Sequence, residues 1–289
     1  MNSVFLSRLA STVVLWTVVC WVVFTANETG LFAFVGIMAL VALAEFYRML
    51  AAGGQPHFRL TGLLCGAGLL LYTGYALKSG GGAKAGDVEG VALAAVVVAI
   101  LLRQLFRSPI TPDAIPAVGN TLLGIGYVVV LFHFMNKIIY LTPLSESGMV
   151  TGQFYLLYLM VVTKFSDMGA YLTGTAIGRH PAIPHVSPNK TWEGFGGALV
   201  FSTLGSLGLL WLMASRLPLL NVSHAIALGL LLGFAAIIGD LVESVFKRSA
   251  GVKDSGRFLP GIGGALDLID SLLFTAPLLF VYLYWLEQF

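Results

Sequence analysis

Long runs of apolar residues alternate with short polar segments along most of the chain. Nine runs are long enough, or nearly so, to cross about 30 Å of hydrocarbon as helices. They span residues 7–25, 30–50, 60–78, 88–106, 118–141, 152–177, 194–214, 223–246 and 268–287. The third run gives the weakest signal, because its centre carries three glycines and two tyrosines. The pattern predicts an all-α, polytopic integral membrane protein with about nine transmembrane helices.

The composition supports this fold class. Of the 289 residues, 57% are hydrophobic and 10% are charged, whereas roughly 25% of the residues in a soluble domain are charged. Cys20 and Cys65 both lie inside apolar runs, so we expect no disulfide framework and no thiolate metal site. We expect a single membrane domain, with N-terminal helices in residues 1–150 and catalytic helices in 151–289.

In the first segment, Arg8 is followed by an apolar run from Leu9 to Phe24, and the two together resemble a signal peptide. A small-x-small cleavage site is missing from the sequence that follows, Thr25, Ala26 and Asn27. We therefore expect a retained transmembrane helix.

Basic residues are distributed unevenly between the two sets of connecting segments. With a cytoplasmic N-terminus, the inner segments carry eleven Lys and Arg residues and the outer segments carry four. The positive-inside rule then predicts that the N-terminus is cytoplasmic and the C-terminus is outside. The charged segments 178–193 and 247–267 would both face the cytoplasm.

Three pairs of charged residues lie in or at the ends of the apolar runs. Their members are three positions apart and share a helix face. The pairs are Lys164 with Asp167, Asp240 with Glu243, and Asp267 with Asp270. Charges inside a bilayer cost several kcal/mol unless they are paired or face water. One interpretation is mutual pairing for structure, Lys164 with Asp167 and Lys247 with Glu243.

Mutual pairing does not account for Asp240, Asp267 and Asp270 together, because three carboxylates repel one another. A divalent cation removes the repulsion, and Mg²⁺ prefers carboxylate oxygens together with substrate phosphates. The glycines before the last apolar run, including Gly263 and Gly264, would let the backbone approach a ligand. We therefore predict a phosphate-handling metal site at the inner end of a helical bundle.

The polar segment 180–194 contains three prolines, which disfavour a helix. Lys190 offers a point charge for a phosphate, and Trp192 is typical of a residue at the membrane interface. His180 and His185 are interpreted as loop residues, because no third His or Cys lies at ligand spacing.

Four stretches occur in the order of a known family's motifs. They are KFSDMGAYLTGTAIGRH (164–180), SPNKTWEGFGG (187–197), GDLVESVFKR (239–248) and VKDSGRFLPGIGGALDLIDSLLFTAP (252–277). The chain resembles phosphatidate cytidylyltransferases, also called CDP-diacylglycerol synthases. The resemblance implies an all-helical, dimeric integral membrane enzyme with its polar site in a membrane-embedded cavity. Together with the distribution of basic residues, it predicts an enzyme of the inner (plasma) membrane whose active site faces the cytoplasm. It would use Mg²⁺, alone or with a second cation, to join CTP and phosphatidate into CDP-diacylglycerol and pyrophosphate. It would have no nucleic-acid partner.

The resemblance also implies roles for individual residues. The residues expected to be catalytic are Asp240, Lys247, Asp267 and Asp270, with the three carboxylates as metal ligands. The residues expected to bind substrates are Lys164, Asp167, Ser187, Lys190, Arg248, Lys253, Asp254, Gly263 and Gly264. Two positions depart from the family pattern: Ile262 stands where His is usual, and Leu268 stands where Arg is usual.

Two other functions remain open on the sequence. One is a related CTP-using lipid enzyme, such as a polyprenol or phytol kinase or an archaeal-type CDP-lipid synthase. The other is a transporter with an ion relay formed by Lys164, Asp167, Asp240 and Glu243. The transporter is disfavoured because the charges gather at one face and no inverted repeat is visible.

Overall fold

The computed structural model describes residues 3–25, 28–79, 85–107, 111–141, 152–256 and 263–288. Within these ranges the helices are α1 (Ser3–Phe24), α2 (Glu28–Ala52), α3 (Arg59–Lys78), α4 (Ala85–Leu105), α5 (Ala114–Gly124), α6 (Leu131–Leu141), α7 (Gly152–Ile177), α8 (Trp192–Met213), α9 (Val222–Ser249) and α10 (Ala265–Gln288). A π-helical segment, Ile125–Val130, joins α5 to α6, and a 3₁₀ turn, Ala214–Arg216, follows α8.

Each of the nine predicted apolar segments coincides with helix, and the segment 118–141 combines α5, the π-helical turns and α6. Seven helical stretches among the described residues are long and apolar enough to cross a membrane. They are Thr29–Ala52, Arg59–Lys78, Val88–Leu105, Ala114–Tyr140, Trp192–Arg216, Val222–Ser249 and Ala265–Glu287. Helices α1 and α7 are not among them. The middle of α7 contains Lys164, Ser166 and Asp167. The chain is thus all-α in class, and its helices suit a polytopic membrane protein.

A short hairpin interrupts the helices between α7 and α8. Strand β1 (Pro181–Ile183) pairs antiparallel with β2 (Ser187–Thr191), with Pro181 opposite Thr191 and Ile183 opposite Ser187. The prolines of this segment indicated a non-helical conformation, and the pairing of its two ends was not predicted.

The described chain forms two compact units. The first comprises Met1–Tyr140 and Lys247–Ile269, and the second comprises Leu141–Phe246 and Asp270–Phe289. The division at residue 150 stays a prediction. In the first unit, Tyr47 is fully buried and its hydroxyl donates to the Thr121 carbonyl at 2.8 Å. The Thr121 hydroxyl accepts from the Phe58 amide at 2.8 Å, so α2, α5 and the entry to α3 are fastened together.

Small residues bring the helices of the second unit close together. A β-carbon added at Gly197 of α8 would lie 2.7 Å from the Gly169 carbonyl oxygen of α7. The Ser202 hydroxyl of α8 donates to the Gly229 carbonyl of α9 at 2.8 Å. Between α9 and α10, a β-carbon at Gly239 would lie 2.6 Å from the Asp270 carbonyl oxygen. Small residues and interhelical hydroxyl bonds are the usual means by which membrane helices approach closely.

Candidate active site

The close approach of α9 and α10 at Gly239 brings three carboxylates together in the second unit. Asp240, Glu243 and Asp270 each offer an oxygen, and these oxygens all lie within 4.8 Å of one another. Glu243 is fully buried, Asp270 is 6% exposed, and the Asp240 side chain is 40% exposed. We call these three residues the carboxylate cluster. Two of its members were predicted as metal ligands, and Glu243 was not.

A basic residue and a further carboxylate of α7 belong to the same unit. Lys164 Nζ lies 2.9 Å from Asp167 Oδ2, which forms the ion pair that the sequence spacing predicted. The Ser271 hydroxyl of α10 donates to Asp167 Oδ1 at 3.2 Å. Asp167 thus links α7 to the residue that follows Asp270.

The hairpin supplies a second basic residue. Lys190 of β2 lies with its Nζ 2.6 Å from Asp240 Oδ2, and its side chain is 20% exposed. The next residue, Thr191, caps α8 by accepting a hydrogen bond from the Gly194 amide at 3.1 Å. Two further contacts fix the base of the hairpin: His180 Nδ1 lies 2.6 Å from Glu193 Oε1, and the Trp192 amide donates to the His180 carbonyl.

A cavity of about 230 Å³ lies beside these groups in the second unit. Its polar lining includes Asp167, Asn189, Lys190 and Asp240, and Tyr171 and Phe195 contribute aromatic rings. The cavity therefore combines carboxylates, an ammonium group, an amide and aromatic surface. Such a combination suits a ligand that carries both phosphates and a planar ring.

Asp267 lies in the first unit and has its own set of partners. Lys247 Nζ lies 2.9 Å from Asp267 Oδ1, and the Gly264 amide donates to Asp267 Oδ2 at 2.7 Å. The Ser255 hydroxyl accepts from the Asp267 amide at 3.3 Å. Asp267 therefore acts as a local cap for the start of α10, whose first amides have no partner within the helix. Its predicted role as a metal ligand stays a prediction.

The other predicted substrate-binding residues differ in how far they are exposed. Arg248, Lys253 and Asp254 are exposed, Ser187 and Gly263 are half-buried, and Gly264 is buried. Gly263 has a φ of +126°, a conformation that L side chains rarely adopt. Leu268 is half-buried in α10, and Ile262 lies outside the described residues.

The carboxylate cluster fits a divalent cation by the chemistry of its donors. Three carboxylate oxygens within 4.8 Å of one another are hard ligands of the kind that Mg²⁺ prefers. The sequence contained a signal for Glu243, because it lies one helical turn after Asp240. Its spacing from Lys247 was equally regular, and this led to the interpretation of Glu243 as a partner of that lysine.

Sequence comparison agrees with the motifs that carried the resemblance. The model of the cytidylyltransferase family matches residues 6–286. The phosphatidate cytidylyltransferase of Staphylococcus aureus strain COL is 33% identical over 254 residues, which cover 88% of this chain and 89% of the relative. The protein of the same name from Bacillus subtilis strain 168 is 34% identical over 246 residues, or 85% and 86% of the two chains.

A third similar protein is the uncharacterized protein YnbB of Escherichia coli strain K12. It is 39% identical over 158 residues, which cover 55% of this chain and 51% of that protein. The resemblance inferred from the four motifs is confirmed by the family match across nearly the full chain. The chain belongs to the cytidylyltransferase family.

Proposed function

We propose that the chain is an Mg²⁺-dependent phosphatidate cytidylyltransferase, which makes CDP-diacylglycerol and pyrophosphate from CTP and phosphatidate. The observation that carries this proposal is the carboxylate cluster of Asp240, Glu243 and Asp270, with Lys190 bound to Asp240 at its edge. Two relatives that align over most of the chain bear the name of this activity. Apolar helices suit a substrate whose acyl chains stay in the bilayer.

The reaction is a single displacement at phosphorus. A phosphate oxygen of phosphatidate attacks the α-phosphorus of CTP. The bond between that phosphorus and the oxygen bridging to the β-phosphate breaks, and pyrophosphate leaves with the electron pair. The nucleophile is already an anion, so no strong general base is needed. Catalysis then depends on alignment and on neutralising the charge of two polyanions.

Several described side chains would together neutralise the phosphate charges of the two substrates. Lys190 would hold a phosphate of the nucleotide at the cavity, and Lys164 would do so from α7. The exposed Arg248 and Lys253 would attract the phosphate of the lipid or of the nucleotide. Asp240, Glu243 and Asp270 would hold Mg²⁺, which when bound neutralises phosphate charge and polarises the α-phosphate. Asp267 is proposed as a further ligand, and a second cation is compatible with this set.

The membrane arrangement is also part of the proposal. We infer nine transmembrane helices, with the N-terminus and the active site facing the cytoplasm. The support is the excess of Lys and Arg in the inner segments. CTP is a cytoplasmic nucleotide, so the plasma (inner) membrane with this orientation gives the site access to both substrates. A homodimer is proposed on the family resemblance alone.

Purified full-length protein in mixed micelles with phosphatidate, CTP and Mg²⁺ tests the activity. We expect CDP-diacylglycerol and pyrophosphate in equal amounts, and neither product when phosphatidate or Mg²⁺ is omitted. A lipid kinase would release CDP in place of pyrophosphate, and a transporter would release neither product. Either result would overturn the proposal.

The two departures from the family pattern allow a sharper form of this test. If Ile262 and Leu268 are tolerated variants, Ile262→His and Leu268→Arg should alter the turnover rate only modestly. An inactive wild-type chain that gains turnover when both changes are made would identify an impaired relative instead.

A further inference from the structure

Glu45 is a buried carboxylate within an apolar helix, and the proposed chemistry does not use it. It lies in α2 and is 1% exposed. A buried ionisable group in a membrane helix is costly, so it is kept where it has a structural or functional partner. The partners of Glu45 lie at the start of α10.

The first contact is with the backbone of the helix that carries Asp267 and Asp270. Glu45 Oε2 accepts a hydrogen bond from the Leu266 amide at 3.0 Å. Leu266 lies in the first turn of α10, where amides have no acceptor within the helix and where a negative charge is favourable. Glu45 therefore caps α10 from a different helix, 221 positions away in sequence.

The Glu45 carboxylate also lies close to the backbone at Gly256 and Gly264. A β-carbon added at Gly256 would overlap Glu45, whose Oε1, Cδ and Cγ are the three nearest atoms. A β-carbon at Gly264 would lie 2.5 Å from Glu45 Oε2 and would also overlap the Ser255 hydroxyl. The two glycines are thus required because the Glu45 carboxylate occupies the space where their side chains would be.

Asp267 depends on the same small region. Its amide donates to Ser255, its Oδ2 accepts from Gly264, and its Oδ1 accepts from Lys247. The segments that Glu45 contacts therefore supply two of the partners that orient Asp267. A shift of the first turn of α10 would move this carboxylate directly.

We propose that Glu45 is a positioning residue for nucleotidyl transfer: it fixes the first turn of α10 and thereby the place of Asp267. The inference rests on the proposed function, since it assigns Asp267 a part in that reaction. The role depends more on the length of the side chain, which must extend to the Leu266 amide, than on its charge. A displacement of about 1 Å at a reacting group can cost about a hundredfold in rate.

Two substitutions separate the effect of side-chain length from the effect of charge. Glu45→Gln keeps the length and an acceptor oxygen, whereas Glu45→Asp keeps the charge and shortens the side chain by one carbon. We expect Glu45→Asp to lower kcat at least tenfold and Glu45→Gln to lower it only a few fold, on the order expected for a misplaced group. The KM for CTP should stay within about threefold, because Glu45 does not line the cavity beside Lys190.

Hydrogen exchange of the 263–268 peptide supplies a readout independent of turnover. We expect faster exchange in Glu45→Asp than in wild type. Glu89→Gln is the matched control: Glu89 is a membrane-helix carboxylate of the same unit, paired with Lys137, and its loss should leave kcat and the exchange of this peptide unchanged.

If shortening Glu45 prevents folding, Gly256→Ala gives the reciprocal test, because it crowds Glu45 without removing it. We expect it also to lower kcat.

The outcomes distinguish this inference from the proposed function. A wild-type protein that makes no CDP-diacylglycerol refutes the proposed function, and the positioning role is then refuted as well. An active wild type whose Glu45→Asp variant keeps normal kcat refutes the positioning role alone. A variant that melts at a lower temperature but has normal kcat per folded molecule would assign Glu45 a purely structural role.

Discussion

Asp270 provides the most direct test of the carboxylate cluster. Asp270→Asn removes one negative charge while keeping nearly the same size and shape. Asp270 is 6% exposed and lies within 4.8 Å, oxygen to oxygen, of Asp240 and Glu243. Lys164 keeps Asp167 as its partner in this variant, so the change acts mainly on the cluster.

The magnitude follows from the spacing of the charges. Two unit charges 4.8 Å apart repel by about 3.5 kcal/mol at an effective dielectric constant of about 20. A divalent cation among the carboxylates is more highly charged and nearer to each of them, so one carboxylate stabilises it by at least that order. Loss of about 3 kcal/mol in the transition state lowers the rate by more than about a hundredfold. Without a divalent cation the sign reverses, because the same substitution removes repulsion.

The assay has two parts. Turnover of CTP and phosphatidate is measured against Mg²⁺ concentration, and we expect a rate at least about a hundredfold lower, with half-saturation at higher Mg²⁺. Thermal melting is measured with and without Mg²⁺. We expect Asp270→Asn to melt no lower than wild type in chelator and to gain less from added Mg²⁺.

Glu287→Gln is the control, because Glu287 is exposed at the other end of the same helix. Its turnover and Mg²⁺ dependence should match wild type. Near-normal turnover of Asp270→Asn, with unchanged Mg²⁺ dependence, would show that the cluster is structural and would refute the reasoning.

Four further predictions rest on the candidate site, on the helix packing and on the distribution of basic residues. Glu243→Gln should lower turnover about as much as Asp270→Asn, since both belong to the cluster; a severalfold smaller loss in the same assay would exclude Glu243 as a ligand. Lys190→Met should raise the KM for CTP about tenfold, as measured by kinetics at varied CTP, because a charged phosphate contact is lost; an unchanged KM would place the nucleotide elsewhere. Gly197→Ala should destabilise the protein by about 1–3 kcal/mol through overpacking against α7, whereas Gly196→Ala, with open space around it, should melt like wild type; equal melting temperatures would contradict the packing. In a cysteine-free background, Lys253→Cys should react with an impermeant maleimide only after the inner face is opened, and labelling in intact cells would reverse the orientation.

Much of the fold could be predicted from the sequence because a bilayer imposes a simple pattern. Apolar runs of about 20 residues have few alternatives to helix when backbone groups must be satisfied internally. That argument does not apply to the hairpin 181–191, which is short and polar. Its strands are three and five residues long, and pairing such short segments depends on the ends that His180 and Glu193 hold together.

Pairs of side chains in the candidate site could be predicted where both members lie on one helix. Lys164 with Asp167, and Asp240 with Glu243, are separated by three positions, so periodicity alone places them on a common face. The meeting of Asp270 with the α9 carboxylates depends instead on the close approach at Gly239. A single glycine in an apolar run gives little sequence signal for that contact.

The contacts of Glu45 could not be predicted from the sequence. It is one carboxylate in an apolar run, with Arg48 three positions later as its nearest basic residue, so local spacing suggests at most a helix-face pair. Its hydrogen-bond partner is the backbone amide of Leu266, and its carboxylate fills the space beside Gly256 and Gly264. Nearly every residue type offers a backbone amide, so the sequence does not mark this partner. Only the glycines mark the contact, and they do so for a steric reason that is apparent once the carboxylate is in place. The chemistry of this site can thus be predicted largely from its side chains, whereas the residues that hold its backbone in position require the fold.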